Sequence, residues 1–247
     1  MTLRTLIIVL LSLLVFAGGG FFVWMSAGGG PYTPTGHRMS GSAPLDAKAT
    51  RLLVLGTSLT AKYDWPDQVA ASLSRCIGSQ IEVDKIAAVG MNSDWGVAQL
   101  QRVEQLQPDV ILIEFTINDS DITDGVRLAA SRLNHQRLVD HLRDRFPNSR
   151  IALVTMSPAQ GLRAAVRPFR ARYENMYREL AHEFDLDLID LAPLWKAALE
   201  VESADEMLPD GIHPSEDAVK AVAIAPLVER TASLYGLDCD LFAPTGG

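Results

Sequence analysis

Cysteine is nearly absent: the 247-residue chain carries two, Cys76 and Cys239. That number excludes a miniature domain stapled by several disulfides and a four-cysteine zinc site. Basic residues are in the minority. Lys and Arg total 22 against 30 Asp and Glu, a formal net charge of −8. Such a chain lacks the positive field that a phosphate backbone requires, so no nucleic-acid partner is expected. No G-x-G-x-x-G follows the first strand-like run, which argues against a dinucleotide site. His37, His135, His141 and His182 have no Cys or His partners at metal-ligand spacing. The acidic loop Asp119, Asp121, Asp124 lacks the Gly and terminal Glu of an EF-hand. Neither a metal nor a cofactor is expected, and no internal repeat is visible.

Charge is missing altogether between Arg4 and Arg38. Within that stretch Leu6 to Met25 is almost wholly apolar, and about 20 such residues suffice to cross a bilayer as a helix. Two readings stay open, an uncleaved anchor and a cleaved signal peptide. Gly18 to Gly20 and Ser26-Ala27-Gly28 suit a cleavage region, but no clean A-x-A site follows, and Phe21, Phe22 and Trp24 prolong the run. In either case Arg4 on a very short flank keeps the N-terminus cytoplasmic and exports the rest. The sequence therefore divides into an anchor or signal at 1–27, a Gly-, Ser-, Pro- and Ala-rich linker at 28–50, and a folded domain at 51–247. In an exported domain Cys76 and Cys239 can pair to pin the C-terminal tail; the alternative is two unpaired thiols.

From Arg51 onward short apolar runs alternate with helical spacing. Strands are expected at Leu52–Leu55, Ile81–Ala88, Val110–Phe115, Ile151–Met156 and Leu186–Ile189. Helices are expected at Pro66–Cys76, Trp95–Leu106, Val126–Phe146, Phe169–Phe184 and Pro214–Tyr235, the last with a kink at Pro226. Continuously apolar strands separated by helices imply a three-layer α/β/α domain around a mostly parallel five-stranded sheet. In that architecture ligands bind beyond the carboxyl ends of the strands.

The segments just after the strands carry the chemistry. Gly56-Thr57-Ser58-Leu59-Thr60 follows the first strand, Gly90-Met91-Asn92-Ser93 the second and Thr116-Ile117-Asn118-Asp119 the third. Asp210-Gly211-Ile212-His213-Pro214 precedes the last helix. Together they supply a hydroxyl, backbone N–H groups, an amide side chain and an acid–imidazole pair, the parts needed for acyl transfer. Ser58 would be the nucleophile, His213 the base that takes its proton, and Asp210 the group that holds the imidazole tautomer. The N–H groups of Ser58 and Gly90 and the amide of Asn118 would form the oxyanion hole. Trp95 is a candidate for lining the substrate pocket; packing of a helix start against the sheet is the alternative. Taken singly, each feature is ordinary helix-cap or turn chemistry. Their order and their placement at strand ends give them meaning.

That order resembles the SGNH, or GDSL, hydrolases, a family of serine esterases and lipases. Gly56-Thr57-Ser58-Leu59 is similar to the first block, with Thr57 where the family often has Asp. Gly90 matches the second block. Thr116-Ile117-Asn118-Asp119 matches the third except that Thr116 stands where Gly is usual, and Asp210-Gly211-Ile212-His213 matches the fourth fully. The α/β-hydrolase elbow G-x-S-x-G is missed, because Thr60 replaces its last Gly. The resemblance spans about Arg51 to Tyr235. It implies a flavodoxin-like sheet and a two-step esterase acting through an acyl-Ser58 intermediate on a small-molecule, saccharide or lipid ester. The membrane partner would be met through the N-terminal segment. An O-acyltransferase of the same fold and a non-catalytic envelope binding protein are the alternatives.

Overall fold

The structure is a computed structural model that describes residues 50–237. The apolar run Leu6–Met25, nearly all of the expected linker, and Cys239 lie outside them. Among the described residues no helix is long and apolar enough to cross a membrane.

Five strands form one sheet: β1 (Arg51–Gly56), β2 (Glu82–Ala87), β3 (Val110–Glu114), β4 (Arg150–Thr155) and β5 (Asp187–Asp190). Their order is β2-β1-β3-β4-β5, and all four pairings are parallel. This is the flavodoxin-like order, whose reversal of direction falls between β1 and β3. Successive residues of a strand point to opposite faces, and the sheet uses both. Leu52, Val54, Val110, Leu112, Ala152 and Val154 enter one core; Leu53, Leu55, Ile111, Ile113, Ile151 and Leu153 enter the other. An uninterrupted apolar strand is the sequence mark of that double burial.

Helices cover each face. Trp65, Val69 and Leu73 of α2 (Trp65–Ile77) and Leu227 and Val228 of α12 (Ala225–Leu234) pack on the first. Leu138, Val139 and Leu142 of α6 (Leu128–Arg145) and Met176, Tyr177 and Leu180 of α8 (Arg170–Glu183) pack on the second. Each fully buried Leu or Val contributes about 1.5–3 kcal/mol of transfer free energy. β2 is an edge strand, and its mixed burial follows from having one neighbour.

Two helices depart from the sequence expectation. The stretch expected as Trp95–Leu106 begins earlier and divides into α3 (Ser93–Ala98) and α4 (Leu100–Val103). Its start is set by Asn92, whose side chain accepts the Trp95 N–H as an N-cap. The stretch expected as Pro214–Tyr235 begins at Glu216, capped by Ser215. It runs through α11 (Glu216–Val219) and a π-helical turn (Lys220–Ile224) into α12. Pro226 has no N–H to give to the preceding turn, and the π turn ends just before it. Short helices that the apolar pattern does not mark lie between the main elements: α1 (Ser58–Ala61), α5 (Thr116–Asp119), α7 (Gly161–Ala165), α9 (Ala192–Leu199) and α10 (Ala204–Met207).

Candidate active site

At the carboxyl end of β1 the chain turns through Thr57, which is extended and caps α1. Its Oγ1 accepts the Leu59 N–H at 3.1 Å. Ser58 is thereby the first residue of a single helical turn, just beyond the sheet. Its N–H has no intrahelical acceptor, as for every first residue of a helix. Beneath the turn lies Glu114, the last residue of β3 and paired in register with Gly56. The approach is close: a Cβ at position 56 would fall 2.3 Å from Glu114 Oε1, so only glycine fits.

The acid–imidazole pair sits on the loop between α10 and α11, and three contacts hold that loop. The Gln160 N–H donates to Gly211 O at 2.7 Å, the Tyr63 hydroxyl to Pro214 O at 2.7 Å, and the Ser215 N–H to Met207 O at 2.9 Å. Within the loop Asp210 Oδ1 accepts the N–H groups of Ile212 and His213 at 3.1 and 2.7 Å. Asp210 Oδ2 lies 2.6 Å from His213 Nδ1. Burial pushes the Asp210 carboxyl up, but the hydrogen bonds from the His213 ring and from the two N–H groups outweigh it and bring it down to about 2. The carboxylate is therefore ionised near neutral pH and accepts a proton at Nδ1. That leaves Nε2 as the acceptor, and it stands 2.8 Å from Ser58 Oγ. Ser58, His213 and Asp210 thus form one hydrogen-bonded line with the polarity a general base requires.

Asn118 lies in α5, directly after β3, and is buried. Its amide donates one N–H to Met91 O at 2.8 Å, which ties the segment after β3 to the segment after β2. An amide has two such donors, so one remains. Gly90 precedes Met91 and adopts φ +76°, a conformation that favours glycine. Because β2, β1 and β3 are neighbours, Gly90, Ser58 and Asn118 follow three adjacent strand ends on one rim. The Asn118 turn is held from both sides. Arg167 donates from Nε to Ile117 O at 2.8 Å and pairs with Asp121, also at 2.8 Å. Asp119 accepts the Ser93 N–H at 2.7 Å and the Ser131 hydroxyl. Thr116, which stands where the family pattern has Gly, is the first residue of α5. Helical geometry there is open to any L-residue, so that departure leaves the turn intact.

Trp95 lies in α3, half-buried, with its ring packed against the core that also holds Leu53 and Ile111. Sequence reasoning passed over Glu114, Arg167 and the Asp119–Ser131 pair. For Glu114 a signal was present: a carboxylate at the end of an otherwise apolar, fully buried strand.

The model of the GDSL-like Lipase/Acylhydrolase family matches residues 54–221. Solved structures share the fold. A lipase/acylhydrolase from Enterococcus faecalis superposes with a TM-score of 0.60 at 23% identity, covering 74% of this chain and 96% of its own. A catalytic mutant of an acetylxylan esterase from Geobacillus stearothermophilus gives 0.62 at 16% identity, covering 80% and 96%. No curated protein sequence matches the chain. The matched span runs from within β1 to within the π turn, across all four sequence blocks and every strand, and the chain belongs to the GDSL-like lipase/acylhydrolase family.

Proposed function

We propose that the chain is a serine esterase that cleaves a carboxylic ester through an acyl-Ser58 intermediate. One observation carries the reading: the continuous line from Asp210 through His213 to Ser58, at 2.6 and 2.8 Å. His213 Nε2 takes the Ser58 proton as Oγ attacks the carbonyl carbon. The resulting oxyanion is met by the N–H groups of Ser58 and Gly90 and the free N–H of Asn118. His213 then gives its proton to the leaving alcohol oxygen. A water, deprotonated by the same nitrogen, attacks the acyl carbon; the bond to Ser58 Oγ breaks, His213 returns the proton to Oγ, and the acid leaves.

An acylated saccharide is the substrate class we favour. Export, if the N-terminal segment directs it, would put envelope and extracellular saccharide esters within reach of the domain. The esterase from Geobacillus stearothermophilus with the same fold is an acetylxylan esterase. The test is a panel of acetylated saccharides, 4-nitrophenyl esters of rising chain length and phospholipids, with free acid as the readout. Release of acid from none of them, or transfer of the acyl group to a sugar acceptor without release, overturns hydrolysis as the activity. Preference for long-chain or phospholipid esters overturns the saccharide assignment.

The apolar run Leu6–Met25 behind Arg4 supports an exported domain held at a membrane. Full-length protein should stay with membranes in high salt and dissolve in detergent, and protease added outside sealed cells should digest the domain. A soluble mature chain beginning near residue 28 would identify a cleaved signal instead. Protection from outside protease would overturn export.

A further inference from the structure

Glu114 takes no part in the steps above, yet it is 1% exposed and its carboxyl is fully engaged. The hydrogen bonds run to the turn that carries Ser58. Oε1 accepts the Thr57 N–H at 2.6 Å and the Thr60 hydroxyl at 2.8 Å. The Thr57 hydroxyl lies 3.1 and 3.0 Å from the two carboxyl oxygens. Because Thr57 Oγ1 already accepts the Leu59 N–H, its own proton is the one directed at the carboxyl when Glu114 is ionised. The carboxyl also fills the space that a side chain at position 56 would need. Residues 56, 57 and 60 bracket Ser58, and all three are referenced to one group on the central strand of the sheet.

Packing alone does not call for a carboxyl here. A hydrocarbon of equal size would fill the volume without the cost of desolvating an acid. It would leave the Thr57 N–H and two hydroxyls without acceptors. We propose that Glu114 is a positioning residue for the nucleophile: its carboxyl fixes the Thr57–Thr60 turn and so holds Ser58 Oγ at hydrogen-bonding distance from His213 Nε2. The proposal rests on the serine-esterase reading. Glu114 touches neither substrate nor reacting atoms; it acts through Thr57 and Thr60. The sensitivity is high, because a displacement of about 1 Å at a reacting centre costs up to about 10²-fold in rate.

The test uses the full-length chain in detergent, with Glu114→Gln, Glu114→Met and Thr60→Val. Three quantities are measured: the folded fraction, kcat and KM on 4-nitrophenyl acetate, and the rate at which a serine-directed phosphonate labels Ser58. Glu114→Met should lower kcat and labelling by about 10²-fold per folded molecule, with KM within about twofold. Thr60→Val, which deletes one donor at nearly constant volume, should cost about tenfold. Glu114→Gln keeps an oxygen acceptor for the Thr57 N–H and the Thr60 hydroxyl and should stay within about threefold of wild type. If Glu114→Met does not fold, Thr60→Val decides. Wild-type kcat and labelling in folded Thr60→Val overturn the proposal. So does a loss in Glu114→Met that disappears on normalising to folded protein, or a Gln variant as slow as the Met variant. An active wild type with unaffected variants removes the positioning role alone. A wild type that neither turns over nor labels removes the esterase reading and this proposal with it.

Discussion

His213 Nε2 stands 2.8 Å from Ser58 Oγ although 155 residues separate them in the chain. Two loops meet at that distance, and Tyr63, just past the Ser58 turn, ties one to the other through Pro214 O. The Ser58 turn is fixed from below by Glu114 through Thr57 and Thr60. The His213 loop is fixed from its flanks by Gln160 and Tyr63. Each loop also sinks side chains into the core, Leu59 from the Ser58 turn and Leu208 and Ile212 from the His213 loop, so packing and hydrogen bonds together set the alignment.

Removing either partner of that contact should be equally damaging. Ser58→Ala and His213→Ala should each lower kcat by about 10⁴-fold or more, because members of a catalytic unit are not additive. Asp210→Ala should cost about two orders of magnitude less. The Asp210 side chain is 50% exposed, so water can take part of its place at Nδ1. Turnover per folded molecule in the three variants checks this. An Asp210 variant slower than the His213 variant would overturn the roles.

The proposed oxyanion donors predict a different signature. Asn118→Ala removes the donor and the tie to Met91 O, and kcat should fall by about 10²–10³-fold with little change in KM. Gly90→Ala meets no neighbour within 4 Å, yet it must hold φ +76°. It should destabilise the fold by roughly 1–2 kcal/mol through backbone strain alone. A thermal melt and steady-state kinetics on both variants separate rate from strain. Equal KM rises in the two would speak for a substrate-binding role instead.

The sheet was readable in the sequence because strands buried on both faces are continuously apolar, as in Val110 to Phe115. The post-strand segments could be picked out because a parallel sheet puts its ligands there. What resisted reading depends on contacts between distant residues. The break at Gln99 leaves no mark in the apolar spacing of Val97, Leu100 and Val103. The π turn before Pro226 reads as a simple kink. The partners of Glu114 lie 54 and 57 residues away, and a lone carboxylate in a strand does not reveal what it holds.

Burial pushes Glu114 up to about 7, against the hydrogen bonds from Thr57 and Thr60; the buried Asp119 nearby adds to the rise. A carboxyl raised in the folded state binds protons more tightly there than in the unfolded chain. Its favourable contribution is complete below the unfolded value, near 4.5, and is lost as pH rises to about 7. Glu114→Gln does not titrate. Between those pH values wild type should lose stability relative to the Gln variant, by on the order of 3 kcal/mol, with no further divergence above. Denaturant midpoints of both proteins across pH 4 to 8 measure the difference, in which the other titrating groups cancel. Parallel curves would show that Glu114 does not titrate in this range.

Behind the Asn118 turn lies a buried chain of neutral groups whose proton positions can be deduced. His135 Nδ1 is 2.8 Å from Ser131 O, and a carbonyl only accepts, so Nδ1 carries the proton. His135 Nε2 must then accept, and the Tyr177 hydroxyl 2.8 Å away donates to it. The same hydroxyl oxygen accepts the Phe115 N–H at 3.0 Å. Burial lowers the His135 ring against the opposing pull of Asp119, which keeps the chain uncharged. Tyr177→Phe preserves the ring that stacks edge-on against His135 at 4.8 Å but orphans two buried groups. Each orphan costs about 1–3 kcal/mol, so the variant should be destabilised by about 2–6 kcal/mol. Adding His135→Leu removes one orphan, and the double variant should be less destabilised than the sum of the singles. Urea titrations of the four proteins give the coupling directly. Additive losses, or a Tyr177→Phe variant as stable as wild type, would refute the deduced proton order.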